Sequence, residues 1–261
     1  MSSKINAASI KRFLNNNAIL LLLLLIILYV GVSRENFISL RNLQNIARNA
    51  SVRLLIAFGV SGCLITRGTD LSAGRIPAIA GCIAATILQR PDFAGKFYEK
   101  LPSLPFYGQL WPIWFVLMIS IVVAAIFGVL NGLIIAYLRV PPFIATLGMQ
   151  QIIYGICMIY TRNQNIGGFR ADYMYLTSGS FANIPFLFII AFAVGSFMWF
   201  LYNMTRHGKY MYAIGGNEVA AEVSGINVQI TLIKIYVLAA VLYGSVAVFI
   251  VSEETTSGTE G

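Results

Sequence analysis

Residues 111–138 read WPIWFVLMISIVVAAIFGVLNGLIIAYL, a run of 28 residues without a charged side chain. A helix of about 20 apolar residues crosses the hydrocarbon core of a bilayer, so this run predicts a transmembrane helix. The whole chain has the same character, because 58% of its 261 residues are hydrophobic and 11% are charged. In soluble domains about a quarter of the residues are charged. We therefore expect an all-α membrane protein, since helices satisfy their backbone hydrogen bonds without water.

Six further apolar runs accompany this stretch and predict a polytopic bundle of about seven transmembrane helices in a single domain, residues 1–261. The predicted spans are residues 18–32, 50–66, 76–88, 111–138, 143–160, 184–202 and 231–251. Charged residues interrupt the second and third runs, namely Arg53, Arg67, Asp70 and Arg75. One of these two runs is therefore expected to be a re-entrant or broken helix buried against protein. Asp70, the only acid near the embedded segments, is a candidate pathway residue.

The run at residues 18–32 follows Lys4, Lys11 and Arg12, a pattern shared by secretory signal peptides and first membrane helices. Six more apolar runs follow it without an evident cleavage site, so a retained helix is the simpler interpretation and cleavage stays open. The leading cations favour a cytoplasmic N-terminus. Counted over all loops, lysines and arginines divide evenly between the two sides. The predicted orientation therefore rests on the first helix, and the dispersed cations argue against nucleic-acid binding.

The segment between the first two spans, residues 34–53, has apolar residues near helical spacing and three arginines seven residues apart. This pattern predicts an amphipathic helix at the membrane interface, separate from the second span. Several asparagines lower its helix propensity, so an extended polar loop remains an alternative.

The 111–138 run also contains residues suited to helix packing. Gly128 and Gly132 have the GxxxG spacing that lets membrane helices approach closely. Asn131 places an amide at membrane depth, where it must bond a neighbouring helix or line the pathway. Just beyond, Pro142 can open the next helix with Phe143 beside it, which predicts a tight turn.

Catalytic and metal-binding patterns are missing from the sequence. The chain has no phosphate-binding GxxxxGK[ST] loop, and paired catalytic carboxylates are missing, because Asp70 is the only acid near the embedded segments. His207 has no second ligand at metal spacing, and the three cysteines, Cys63, Cys82 and Cys157, lie in apolar runs without a CxxC motif. We therefore expect a chain that is not an enzyme and that carries no metal or cofactor of its own.

Residues 205–228, TRHGKYMYAIGGNEVAAEVSGINV, form a polar loop between two apolar runs. Asn217 can cap the start of a short helix, Glu218 complements its positive end, and Gly225 can end it in the left-handed conformation. The predicted helix has eight residues, and Gly215 with Gly216 would supply a turn before it.

This short helix would carry two different surfaces. Val219, Ala220 and Val223 form an apolar face, whereas Glu218 and Glu222 form an acidic one. A groove with an apolar floor and a basic rim would fit both. The alternative is an amphipathic helix lying on lipid, although its acidic face disfavours anionic headgroups.

The loop sequence TRHGKYMYAIGGNEVAAEVSGI resembles the cytoplasmic coupling loop of permease subunits in bacterial binding-protein-dependent ABC importers of monosaccharides. Two more runs carry the resemblance, TRGTDLSAGR at residues 66–75 and LNGLIIAYLRVPPFIATLGM at residues 130–149. Among ribose, xylose and galactose permeases, the chain looks most similar to the galactose or methyl-galactoside type. The resemblance implies a coupling site at Gly215, Gly216, Asn217, Glu218, Ala220, Ala221, Glu222, Ser224 and Gly225.

The same resemblance implies several partners in the bacterial inner membrane. A cytoplasmic ABC ATPase would bind ATP and Mg, a periplasmic binding protein would deliver the sugar, and a second permease subunit would complete the pathway as a homodimer or heterodimer. Permeases of this type continue beyond SEETTSGTEG, so we expect a truncated C-terminus. An ion-coupled secondary carrier and a non-transporting membrane scaffold remain alternatives, distinguished by their coupling to an ATPase.

Overall fold

The computed structural model describes residues 17–34, 36–98 and 112–256. Lys4, Lys11, Arg12 and Trp111, on which sequence predictions rest, lie outside the described residues, as does the end of the tail, 257–261. The chain divides into two compact units, residues 1–47 and 48–261. In the first unit, the Asn42 amide nitrogen donates to the Phe37 carbonyl at 2.7 Å.

The described residues are predominantly helical, with one two-stranded antiparallel hairpin. The helices are α1 (Ala18–Ser33), α2 (Leu40–Ile65), α3 (Ile76–Ile87), α4 (Ile113–Ala136), α5 (Pro142–Thr161), α6 (Ala171–Ser178), α7 (Phe186–Met204), α8 (Arg206–Gly216), α9 (Glu218–Val223) and α10 (Val228–Thr256). A 3₁₀ turn spans Leu71–Gly74, and the hairpin strands are β1 (Ser180–Phe181) and β2 (Ile184–Pro185). The predicted all-α polytopic class is confirmed.

Five of these helices are long and apolar enough to cross a membrane: α2, α4, α5, α7 and α10. Two shorter apolar segments, Ala18–Ser33 and Leu71–Ile87, occupy the first and third predicted spans. In α1 no residue is buried against protein. α3 has 12 residues, about 18 Å of helix, which is less than the roughly 30 Å of bilayer hydrocarbon.

The helix predicted at residues 34–53 is present from Leu40 onward, where the extended-loop alternative is wrong, but it is not separate from the second span. Residues 40–65 form one continuous helix of 26 residues, so α2 begins about ten residues before the predicted span. The sequence has no proline or glycine between Leu40 and Gly59 to end the helix. A break there would leave terminal backbone groups without partners, a larger cost than the weak helix propensity of the asparagines.

In the second unit, α10 packs closely against α4 through three glycines, which we call the glycine seam: Gly128, Gly132 and Gly244. A methyl group on Gly128 would lie 2.5 Å from the Ala240 Cβ atom. A methyl group on Gly132 or Gly244 would lie 2.8 Å from backbone atoms of the facing helix. The structure thus places the GxxxG pair of α4 in direct backbone contact with α10.

Between α2 and α3 the chain has the broken form that the charged residues suggested. α2 ends at Ile65, Arg67 adopts a left-handed φ of 60°, and the 3₁₀ turn precedes α3. The side chain of Asp70 caps this turn by accepting from the Ser72 amide. Residues 66–75, which we call the broken segment, therefore enter the protein interior as non-α backbone whose polar groups need local partners.

Candidate coupling and pathway site

Two capped helices occupy the 205–228 loop. The Thr205 hydroxyl accepts from the Gly208 amide at 3.3 Å, which starts α8. Asn217 Oδ1 accepts from the Ala220 amide at 3.0 Å, which starts α9. Gly225 follows α9 with φ of 83°, the left-handed conformation that glycine adopts most readily. The structure gives α9 six residues where eight were predicted.

Gly215 and Gly216 do not form the predicted turn, because they are the last two residues of α8. A methyl group on Gly215 would lie 1.9 Å from the Ile65 carbonyl oxygen, whereas one on Gly216 would meet nothing within 4 Å. Gly215 therefore permits a close approach between α8 and the end of α2. A glycine pair is typical of a turn, and the sequence therefore carried no signal for α8.

The short helix α9 is held along one side and exposed on the other. Ala221 is buried in a small apolar cluster with Ile214 and Val228. Glu218 and Glu222 are exposed. Val219 and Val223 are 70% and 85% exposed, respectively. The exposed surface of α9 thus combines apolar and acidic side chains, the composition that a groove with an apolar floor and a basic rim would bind.

A second group of polar residues lies in the interior, and we call it the buried polar cluster: Asp70, Ser72, Asn131, Thr146 and Tyr243. Asp70 Oδ1 accepts from the Ser72 amide at 3.0 Å and from the Ser72 hydroxyl. Asp70 Oδ2 accepts from the Tyr243 hydroxyl at 3.0 Å, and Asn131 Nδ2 donates to Ser72 Oγ at 2.9 Å. These bonds join the broken segment to α4 and α10.

Thr146 joins the same segment to α5. Its hydroxyl oxygen accepts from the Leu71 amide at 3.1 Å and lies 3.1 Å from the Thr69 carbonyl and 2.8 Å from the Pro142 carbonyl. Pro142, which was predicted to open this helix, is the first residue of α5. Phe143 is 55% exposed and is not part of the cluster.

Among the described residues, the Asp70 side chain is held by hydrogen bonds rather than by an ion pair. Asp70 is only 5% exposed, and in the described part of the chain its carboxylate is faced by amide and hydroxyl donors. Such donors stabilise a buried carboxylate that has left water. Among the described residues, the buried amide oxygen of Asn131 has no hydrogen-bond partner. The Asn131 amide nitrogen therefore links α4 to the broken segment, while the amide oxygen can still accept a hydrogen bond.

An ion pair and a partly buried histidine lie outside the membrane-spanning helices. Arg170 pairs with Asp172 beside α6. Partial burial raises the pKa of the Asp172 carboxyl, but the hydrogen bond and charge of Arg170 outweigh it and hold the pKa below its usual value. The pKa of His207 is lowered by burial and by the charge of Lys234.

In residues 17–34, 36–98 and 112–256 no group of three metal-ligating acids, histidines or cysteines occurs.

Sequence reasoning found Asp70 and Asn131 but missed the residues that connect them. Ser72 bridges the two, and Tyr243 and Thr146 bind the broken segment from distant helices. A tyrosine within an apolar helix was a usable signal, because its hydroxyl needs a partner at membrane depth. Thr146 gave a weaker signal, since a hydroxyl can bond its own helix one turn earlier.

Comparisons with known proteins agree with this architecture. The family model described as branched-chain amino acid transport system permease component matches residues 42–258. The galactose/methyl galactoside import permease of Escherichia coli is 40% identical over 249 residues, which cover 92% of this chain and 72% of that protein. That of Salmonella typhimurium is 42% identical over 215 residues, covering 79% and 62%.

More distant sugar permeases also match. The ribose import permease of Haemophilus influenzae is 32% identical over 243 residues, which cover 92% of this chain and 69% of that protein. The chain thus spans about two thirds of the length of these relatives. No solved structure matches it. Because the family model covers most of the chain, this multi-pass membrane protein belongs to the family of branched-chain amino acid transport system permease components.

Proposed function

We propose that the chain is the permease subunit of an ATP-binding-cassette importer that moves galactose or a methyl galactoside across the bacterial inner membrane. The observation that carries the proposal is α9, an exposed helix of mixed acidic and apolar character attached to the membrane bundle. The sugar is inferred from relatives of about 40% identity that are named galactose/methyl galactoside import permeases.

The energy for import would come from a separate subunit. The sequence has no phosphate-binding loop, so ATP and Mg would bind to a cytoplasmic ABC ATPase that docks on α9. Glu218 and Glu222 would face the basic rim of its groove, while Val219 and Val223 would enter the apolar floor. The sugar crosses without covalent change, so this chain is not an enzyme.

The remaining partners act on the sugar pathway. A periplasmic binding protein would select the sugar and release it to the outer end of the bundle. A second permease subunit, identical or different, would complete the pathway. Closure of the ATPase would displace α9 and rock the helices between outward-open and inward-open states. This arrangement puts the 205–228 loop and the N-terminus on the cytoplasmic side.

Reconstitution in proteoliposomes tests the proposal. The chain is combined with a galactose-binding protein and an ABC ATPase, and uptake of labelled galactose is measured with ATP on the ATPase side. We expect uptake that requires every component. The double variant Glu218→Lys, Glu222→Lys should insert normally but lose sugar-stimulated ATP hydrolysis, because reversed charges repel a basic rim.

A matched charge reversal controls for nonspecific effects. Asp92→Lys alters an exposed acid in the connection between α3 and α4, on the side of the membrane opposite α9 in this arrangement, and it should leave binding of the ATPase subunit unchanged. Galactose uptake driven by an ion gradient without the ATPase would instead establish a secondary carrier. Retained ATPase binding without any uptake would indicate a scaffold, and undiminished stimulation in the double glutamate variant would overturn docking through α9.

A further inference from the structure

The end of α8 meets the end of α2 at two points. At the first point, α8 lies against the Ile65 carbonyl, because Gly215 has no side chain to keep it away. At the second, Arg67 Nη2 donates to the Gly216 carbonyl oxygen at 3.0 Å, across 149 positions of sequence. This carbonyl belongs to the last turn of α8, where the helix dipole favours a positive charge. The 205–228 loop is thus attached to the first residues of the broken segment.

Arg67 occupies a backbone position that suits a smaller residue. Its φ is 60°, in the left-handed region that glycine or asparagine usually takes at the end of a helix. The Arg67 amide donates to the Leu64 carbonyl at 3.0 Å and the Gly68 amide to the Cys63 carbonyl at 2.9 Å, as expected for the end of α2. Arginine costs conformational free energy there, as it does at Arg139, which has a φ of 53°. The feature that singles out Arg67 is its hydrogen bond to the Gly216 carbonyl.

The chain passes from Arg67 directly into the buried polar cluster. Two residues later the Thr69 carbonyl lies 3.1 Å from the Thr146 hydroxyl. Three residues later Asp70 binds the Tyr243 hydroxyl of α10. A displacement of Arg67 must therefore be taken up within a few backbone bonds or passed to the hydrogen bonds of the cluster.

We propose that Arg67 is a positioning residue that fastens the 205–228 loop to the broken segment, so that displacement of α9 moves the buried polar cluster. The contact at Gly215 transmits a push towards α2, and the Arg67 hydrogen bond transmits a pull away from it. The inference rests on the proposed function, because the displacement is the one that the ATPase would impose.

Arg67→Gly separates this role from folding. Glycine adopts the φ of 60° without strain, so the variant keeps the backbone and removes the side chain with its guanidinium group. Arg139→Gly is the matched control, since Arg139 is exposed and left-handed with φ of 53°. The measurements are ATPase-subunit binding, ATP hydrolysis with and without sugar-loaded binding protein, and galactose uptake.

We expect Arg67→Gly to bind the ATPase and hydrolyse ATP at the basal rate, but to lose sugar stimulation and uptake by tenfold or more. Arg67→Lys should recover part of the stimulation, because an ammonium group can reach the same carbonyl. Arg139→Gly should match the wild type. Wild-type stimulation in Arg67→Gly would overturn the proposal, and so would a parallel loss of ATPase binding, which would indicate a role in assembly.

Hydrogen exchange on the purified chain tests the link without any partner. Asn217→Ala removes the cap of α9 and should speed exchange in residues 66–75 at least twofold in the wild-type background. The same change should have no effect there in the Arg67→Gly background. Equal effects in both backgrounds would overturn the link. If the link holds but the wild-type complex shows no ATP-dependent uptake, the proposed function fails while the mechanical connection stands.

Discussion

Polar residues are stabilised in opposite ways in the 205–228 loop and in the buried polar cluster. In the loop, α9 relies on residues within eight positions of each other, with Asn217 as cap and Gly225 as end, and most of its side chains face outward. In the cluster, Asp70 and its partners are buried and come from positions up to 173 residues apart. Local capping therefore supports the exposed helix, whereas long-range hydrogen bonding supports the broken segment.

This difference predicts where substitutions matter. A buried hydrogen-bonded group that loses its partner retains the full cost of desolvation. An exposed side chain that is removed is replaced by water at little cost. Changes in the cluster should therefore alter stability, and changes on the outer face of α9 should alter partner binding.

The largest effect should come from Asp70→Ala. It leaves the Tyr243 hydroxyl and the Ser72 groups without their acceptor in the interior, at about 1–3 kcal/mol for each unsatisfied group. Unfolding by denaturing detergent should show this loss of free energy. Tyr243→Phe is the comparison variant, because it leaves Asp70 with its Ser72 donors and should cost less. Equal stability of Asp70→Ala and the wild type would remove the distinction between the two regions.

The next effect should come from Gly215→Ala, at the junction of the two regions. The new methyl group would overlap the Ile65 carbonyl and force α8 away from α2, at about 1–3 kcal/mol as for overpacked cores. Gly216→Ala has open space and should be neutral or stabilising by up to about 1 kcal/mol, since alanine favours helix. Thermal unfolding of both purified variants measures the difference, and identical midpoints would contradict the close approach.

A smaller effect on stability is expected for Asn217→Ala. Losing the cap of α9 should cost about 0.5–2 kcal/mol of helix stability. Hydrogen exchange at the Ala220 amide, which Asn217 Oδ1 accepts from, should become faster while exchange in α4 stays unchanged. Ser224→Ala, at the other end of α9, should have the weaker effect, since its hydroxyl only bonds the Ala220 carbonyl of the same helix.

The smallest effect on stability should come from Val223→Ser. Val223 is 85% exposed, so the free energy of unfolding should change by no more than about 0.5 kcal/mol. The same substitution should weaken binding of the ATPase subunit, because it removes an apolar contact from the proposed interface. A lower free energy of unfolding without weaker ATPase binding would contradict the assignment of Val223 to a binding surface.

The two regions were also predictable to different degrees. Five of the seven apolar runs predicted helices long enough to cross a membrane, although α2 begins before its run. Asn217 and Gly225 predicted the ends of α9, because those signals lie within or beside the element they describe. Asp70 and Asn131 stood out as polar residues in apolar surroundings. Their partners could not be read from the sequence, since the Asp70–Tyr243 contact depends on how distant helices pack. Gly215 was misread because a close approach and a turn both require glycine.

The glycine seam between α4 and α10 limits where a solute can travel. At Gly128 and Gly132 the two helices already touch so closely that an added methyl group would overlap the facing helix. An interface that excludes a methyl group also excludes a hexose as long as the two helices stay in contact. In the proposed importer, permeation would therefore follow other faces of the bundle, and residues that touch the sugar should be sought away from this seam.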